Sequence, residues 1–377
     1  MKKMGFGMMR LPLTNKEDPT KIDQKQVNKM VDAFMENGYT YFDTAYPYHN
    51  GASEVALKKA VVERYPRDSF VIADKLPIFA LTKKEDMEPI FNEQLKRCGV
   101  DYFDYYLVHN VSRASEKGFV DIDSFEFVEQ KKAEGKVKNI GFSLHDDAEY
   151  MEKVLENHPD IDFVQLQLNY LDWESPQIES RKIYEVAKKY DIPVVVMEAL
   201  KGGFLANIPE EADELIKEYD YNTDKIELAL KFLANLDNVF MILSGASTIE
   251  QMNENINYME NMTPMKDEEY TLLEQVSKII QNDITVSCTQ CKYCVEECPV
   301  KINIPEIFDL YNKEKKLEYQ GYTAIGNYII NYAKEGHPMA SACIECGACI
   351  PKCPQHIDIP TVMKYAKTTI EKPLYGF

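Results

Sequence analysis

Eight of the nine cysteines fall in two copies of one spacing: Cys288, Cys291, Cys294 and Cys298 before Pro299, then Cys343, Cys346, Cys349 and Cys353 before Pro354. Two-residue spacers let one loop present three sulfurs to a single centre, while a fourth must arrive from elsewhere. That density suits an iron–sulfur cubane, which needs a thiolate for each of its irons. Structural zinc usually draws on two separated cysteine pairs, so three cysteines plus a Cys-Pro in one loop, twice over, disfavours zinc. Disulfides are disfavoured because Met1 to Pro12 lacks the apolar core of a secretory signal, and a large cytosolic chain keeps its thiols reduced. The ninth cysteine, Cys98, shares a helical face with Met87, Phe91 and Leu95 and reads as core packing.

The C-x2-C-x2-C-x3-C-P run resembles the ligand run of bacterial-type two-cluster [4Fe–4S] ferredoxins, in which the fourth cysteine of each run serves the other cluster. The resemblance implies one cluster on Cys288, Cys291, Cys294 and Cys353, and a second on Cys343, Cys346, Cys349 and Cys298. The repeat continues beyond the cysteines. Cys298-Pro299-Val-Lys-Ile302-Asn-Ile304-Pro305 matches Cys353-Pro354-Gln-His-Ile357-Asp-Ile359-Pro360, each leading into a short helical stretch. About forty Tyr- and Ile-rich residues between them are expected to form a helical insertion. A small, mainly helical two-cluster ferredoxin-like domain is therefore expected over residues 283–377, after a helix that ends in Glu274-Gln-Val-Ser-Lys-Ile-Ile.

At 377 residues and 45% hydrophobic content, the chain can bury a large core and has room for two domains. Lysine and arginine number 43 against 62 acids, a formal charge of −19. After residue 282, ten lysines face eleven acids, so −18 belongs to the first 282 residues. Such a surface repels phosphate backbones and acidic membranes, which argues against nucleic-acid and membrane partners. No run approaches the ~18–20 apolar residues of a membrane span, and a cytoplasmic protein is expected.

Residues 1–282 alternate short β-rich runs with amphipathic helices. The strand candidates are Phe6–Leu11, Thr40–Phe42, Phe70–Ala73, Phe103–Val108, Asn139–Phe142, Phe163–Gln167, Val194–Met197 and Val239–Leu243. Asp23 is placed to cap a helix whose Val27, Met30, Val31 and Phe34 share a face, and Gly38 to end it. Eight such units predict an α/β fold, a (β/α)8 TIM barrel. No G-x-G-x-x-G follows the first strand, so a Rossmann domain is disfavoured.

In barrels of this kind active sites gather at the C-terminal ends of the strands. Asp43, Tyr48, Lys75 and His109 fall there, and Asp43-Thr44-Ala45-x-x-Tyr48 is the most specific part of the set. Singly, Asp43 or Lys75 reads as a surface charge and His109 as a core histidine; together and in order they favour catalysis. Here the chain resembles the aldo-keto reductase family, and with Gly141-Phe142-Ser143 and Ser244-Gly245-Ala246-Ser247 the likeness spans nearly the whole barrel. The resemblance implies reduction of a small-molecule carbonyl, or the reverse on an alcohol. Tyr48 would donate the proton, Lys75 would lower its pKa, Asp43 would hold Lys75, and His109 would place the substrate oxygen.

It also implies a nicotinamide cofactor. Ser143 and Gln165 fit positions that hold the carboxamide, although Leu144 stands where the family has Asn, and Met197 stands where an aromatic commonly stacks. Gly245, Ala246 and Ser247 offer backbone N–H groups to a phosphate, an arrangement equally read as a plain helix cap. Glu254 and Asn255 fit positions near the adenine. Gly245 and Gln251 replace the usual 2′-phosphate-binding cations, so no strong preference for NADP is implied.

A cubane passes single electrons whereas nicotinamide carries a hydride. The first reading is thus an NAD(P)H-linked reductase whose clusters are structural or serve a separate carrier. The alternative is an FMN-containing oxidoreductase in which an external ferredoxin and the two clusters feed a flavin in the barrel mouth. A third makes the barrel a non-catalytic docking module for electron transfer.

Overall fold

The computed structural model describes residues 1–15, 18–283, 285–316 and 336–371. Eight parallel strands close into a barrel in sequence order: β1 Met4–Gly7, β2 Tyr41–Asp43, β3 Val71–Leu76, β4 Phe103–Val111, β5 Val137–Leu144, β6 Phe163–Gln167, β7 Val194–Met197 and β8 Val239–Ser244. The predicted (β/α)8 barrel is thereby observed. The helices between strands follow the expected chemistry. Over Gln24–Glu36 the Asp23 side chain accepts from the Gln26 N–H, Val27, Met30, Val31 and Phe34 are buried, and Gly38 takes φ +75° just beyond the end.

The first strand is shorter than predicted. Met8–Arg10 form a 3-10 turn rather than continuing the strand to Leu11. The register explains this: Gly7 pairs with Asp43, the last residue of β2, so the ladder has no partner beyond it. In the other direction β3, β4 and β5 run past their expected ends, to Leu76, Val111 and Leu144.

One layer of the barrel interior is filled by Tyr41, Ala73, Leu107, Phe163, Val195 and Met241. Its large rings require small neighbours. A Cβ on Gly141 would lie 2.5 Å from the Phe163 carbonyl oxygen and 2.7 Å from its ring, so the glycine of Gly141-Phe142-Ser143 is fixed by packing rather than by chemistry.

Two compact units emerge, one of Met1–Leu200 with Thr223–Tyr270, the other of Lys201–Asn222 with the chain from Thr271 onward. The segment 201–222, which sequence order assigns to the barrel, groups with the C-terminal residues. In this second unit helices Ile304–Lys316 and Ile359–Ile370 share a core in which Ile304, Ile307, Phe308, Ile359, Met363 and Ile370 are buried. The predicted helical insertion falls largely on residues 317–335, outside the described residues. Among the described residues no helix is long and apolar enough to cross a membrane.

Candidate active site and cluster-binding cysteines

Side chains on a strand alternate with a period of two. Counting two residues onward from the interior layer reaches Asp43 from Tyr41, Lys75 from Ala73, His109 from Leu107, Ser143 from Gly141, Gln165 from Phe163 and Met197 from Val195. Six of the predicted site residues therefore share one inward-facing ring, a layer nearer the strand C-termini. Lys75 and His109 stand inside β3 and β4 rather than just after them, which is why they are held so firmly.

Within the ring, Lys75 Nζ donates to Asp43 Oδ1 at 2.7 Å and to the Thr44 carbonyl at 2.7 Å, with both ionisable side chains at most 3% exposed. Burial pushes the Asp43 carboxyl above its usual range and Lys75 pulls it back down. His109 is driven well below the usual imidazole range by burial, with the Lys75 and His145 charges acting in the same direction, so it is neutral. Its Nδ1 is buried without a hydrogen-bond partner among the described residues.

Tyr48 opens the turn after β2. Lys75 Nζ lies 5.2 Å from its ring centroid, and the His109 ring stands edge-on at 6.3 Å. The turn is pinned by a residue that sequence reasoning passed over. His49 Nε2 accepts from the Leu11 N–H at 3.2 Å and its Nδ1 meets the Pro19 carbonyl at 2.9 Å, while His49, Asn50 and Gly51 all take left-handed conformations. Behind the ring lies a second network without a sequence signature. Asp74 accepts from the Lys75 N–H and from Gln94 Nε2, and Glu54, itself paired to Arg97 at 2.9 Å, sits beside it with Cys98. Burial, then repulsion from Asp74, raises Glu54 to about 9, and burial raises Asp74 to about 6.

The cofactor-contact residues divide. Ser143 Oγ accepts from the Asn110 N–H at 2.8 Å. Gln165 Oε1 is buried with no hydrogen-bond partner among the described residues, an acceptor suited to an amide N–H, so a carboxamide fits the ring. At the β8 end, helix Ile249–Glu260 begins with Thr248 Oγ1 accepting from the Gln251 N–H at 3.2 Å. The Gln251 side chain in turn accepts from the Ser247 N–H at 2.8 Å, one of the groups predicted to meet a phosphate. Ser247 Oγ donates to the Arg10 carbonyl, Asn255 Nδ2 donates to Ser244 Oγ, Ala246 is buried, and Gly245 and Glu254 are exposed.

In the second unit the cysteines form two groups. Cys288, Cys291, Cys294 and Cys353 line one small cavity, and Cys298, Cys343, Cys346 and Cys349 line another. Each group takes three sulfurs from one run and the fourth from the other. Burial, followed by repulsion from Cys291, Cys288 and Cys353, pushes the Cys294 thiol up, and burial raises Cys349, with Cys343, Cys346 and Cys298 adding to the rise. Thiols crowded in this way release their protons only to a cation that takes up the charge, and the sulfur-only donor sets fit cubane clusters. The repeat is geometric too. At the second, fourth and thirteenth positions after the first cysteine, both runs are left-handed: Gln290, Lys292 and Lys301 in one, Glu345, Gly347 and His356 in the other.

A closed parallel barrel with a lysine–carboxylate pair, a tyrosine and a histidine at its strand ends defines an oxidoreductase of the TIM-barrel class, here joined to an iron–sulfur domain. The chain belongs to the aldo/keto reductase family, whose model matches residues 3–278, and a 4Fe-4S dicluster domain matches 287–357. It is 24% identical over 288 residues to an NADH-specific methylglyoxal reductase of Escherichia coli, covering 65% of this chain and 85% of the relative. It is 25% identical over 242 residues to an aldo-keto reductase of Mycobacterium avium, covering 64% and 78%. Among solved structures, an aldo-keto reductase from Bacillus halodurans in its holo form superposes with a TM-score of 0.58 at 23% identity, over 73% of this chain and 91% of the other. One from Klebsiella pneumoniae in complex with NADP and acetate does so at 0.58 and 20%, over 73% and 90%. At these identities the structural likeness establishes the fold.

Proposed function

We propose that the barrel, over residues 1–282, reduces a small-molecule carbonyl with NAD(P)H, and that residues 283–377 carry two [4Fe–4S] clusters on the crossed cysteine sets. The observation that carries this reading is the buried Lys75–Asp43 pair lying 5.2 Å from the Tyr48 ring, with a neutral His109 at the ring's edge. Nicotinamide, when bound, supplies the hydride that a carbonyl carbon accepts.

The chain's own residues supply everything else. Tyr48 gives its proton to the carbonyl oxygen, and the Lys75 ammonium stabilises the phenolate left behind. Asp43 and the Thr44 carbonyl hold Lys75 in place, so the stabilising charge is oriented before reaction and no reorganisation is required. His109 donates to the substrate oxygen and aligns it with the phenol. Gln165 and Ser143 would hold the carboxamide, Met197 would flank the nicotinamide, and Gly245, Ala246, Ser247, Gln251, Glu254 and Asn255 would hold the remainder of the dinucleotide. To meet a phosphate, the Ser247 N–H must first exchange its Gln251 acceptor. The clusters imply a one-electron carrier, such as a ferredoxin, as a protein partner.

The test is anaerobic purification with analysis of the released cofactor, followed by turnover of methylglyoxal with NADH and with NADPH. Nicotinamide-dependent reduction without released flavin is the expected result. Stoichiometric FMN with no nicotinamide-dependent turnover overturns the reading in favour of a flavin fed by the clusters.

A further inference from the structure

We propose that Lys201 sets the reduction potential of the cluster on Cys288, Cys291, Cys294 and Cys353, as a buried cation that favours the reduced form. Lys201 is 3% exposed, an unusual degree of burial for a lysine. Its backbone is bent to achieve this: Lys201, Gly202 and Gly203 are successive left-handed residues with φ of 45°, 65° and 92°. The ammonium donates to Gln355 Oε1 at 2.8 Å. Gln355 stands two residues beyond Cys353 and lines the same cavity as the four sulfurs.

A four-thiolate cubane is an anion that gains one further negative charge when it takes up an electron. A fixed positive charge beside it in a water-poor site stabilises the reduced form more than the oxidised one.

Among the described residues, the lining of the cavity of Cys298, Cys343, Cys346 and Cys349 includes no charged side chain, and the nearby Lys364 is exposed and paired with Glu345 at 2.8 Å. Lys292 and Lys352 line the first cavity beside Gln355, but Lys292 is exposed and Lys352, half-buried, is paired with Glu297 at 3.1 Å, so Lys201 is the buried cation of the two sites. The two cubanes therefore differ in potential, and an electron entering the pair settles on the one beside Lys201.

The proposal rests on Cys353 belonging with Cys288, Cys291 and Cys294, and its test checks that separately. The holoprotein is titrated anaerobically with dithionite as one-electron donor while electron paramagnetic resonance follows each centre. Lys201→Met is expected to lower the potential of one centre by at least about tenfold in its reduction equilibrium, or ~59 mV, and to leave the other unmoved; Lys201→Arg restores it. An unchanged potential, a rise, or equal shifts of both centres overturns the proposal. If Lys201→Met loses iron, Gln355→Glu answers the same question, because a carboxylate neutralising the ammonium must lower the same potential, and no shift there is equally fatal. Cys353→Ser identifies by its altered spectrum the centre that Cys353 serves. If that is not the centre moved by Lys201, the proposal fails even though both clusters are present.

Discussion

The two halves of this molecule place their reactive groups by opposite means. In the barrel, Asp43, Lys75, His109, Ser143 and Gln165 come from five different strands, yet a continuous ladder of backbone hydrogen bonds sets their spacing before any ligand arrives. In the second unit the reactive sulfurs sit on two short runs, Cys294 within the helical turn Tyr293–Glu296, with no strand beneath them among the described residues, and Cys294, Cys298 and Cys349 are themselves part of the buried core. The barrel's chemistry is mounted on a scaffold that stands without it. In the other unit the ligands and the scaffold are largely the same residues, so metal and fold should be hard to separate.

The sharpest way to break that contrast is to remove the iron. Anaerobic chelation is expected to abolish amide protection in helices Ile304–Lys316 and Ile359–Ile370, while β2 to β8 keep theirs. Hydrogen exchange read by mass spectrometry separates the regions. Persistent protection of both helices in iron-free protein would show that this core stands by its apolar contacts alone.

Within the barrel, the largest effect should come from the phenol. Tyr48→Phe keeps the ring between Lys75 and His109 but deletes the proton donor, and a loss of about 10²–10⁴ in kcat is expected, with iron content and the thermal midpoint unchanged. Turnover within a few-fold of wild type would remove Tyr48 from the mechanism and favour a barrel that only docks partners.

How much of this could be read from the chain alone depended on the range of the forces involved. The cysteine runs, the Asp23 cap and the Asp43-Thr44-Ala45-x-x-Tyr48 run are local, and local spacing is what a sequence displays. The ring of inward-facing residues was visible only in part, because strand ends at Lys75 and His109 were placed too early and their membership of β3 and β4 depends on pairing with neighbours. The Glu54–Asp74–Arg97 network and the burial of Lys201 beside Gln355 left no local trace, since each joins residues far apart in sequence. Lys201-Gly202-Gly203 was the nearest to a signal: two glycines after a lysine mark a backbone prepared for an unusual path.

A smaller effect, on stability, should follow from Lys75→Met. The substitution leaves Asp43 buried without its cation, and breaking such a pair costs about 3–5 kcal/mol. Burial already favours the protonated Asp43 carboxyl, so the cost should shrink at low pH, where a proton replaces the lost cation. Urea midpoints at acidic and neutral pH check this. Adding Asp43→Asn should recover part of the loss, because the double variant buries no unpaired charge. A cost independent of pH would mean that the lysine contributes packing rather than charge.

The smallest expected effect concerns the carboxyl pair behind the ring. Glu54 is raised from an ordinary carboxyl value of 4.5 to about 9 by burial and by the Asp74 carboxylate. Between those values the folded protein holds a proton that the unfolded chain has released. Its contribution is therefore complete below the unfolded value and is lost as pH rises towards 9. Glu54→Gln removes the titration while keeping a group that can donate to Asp74, so unfolding midpoints should fall less between pH 6 and 8.5 than in wild type. The Arg97 guanidinium at 2.9 Å favours the ionised carboxylate and offsets part of the slope, which is why the change should be smaller than that from Lys75→Met. Parallel midpoints for the two proteins across that range would show that Arg97 prevails, that Glu54 is charged throughout, and that Asp74 takes its hydrogen bonds only from Gln94, Cys98 and the Lys75 backbone.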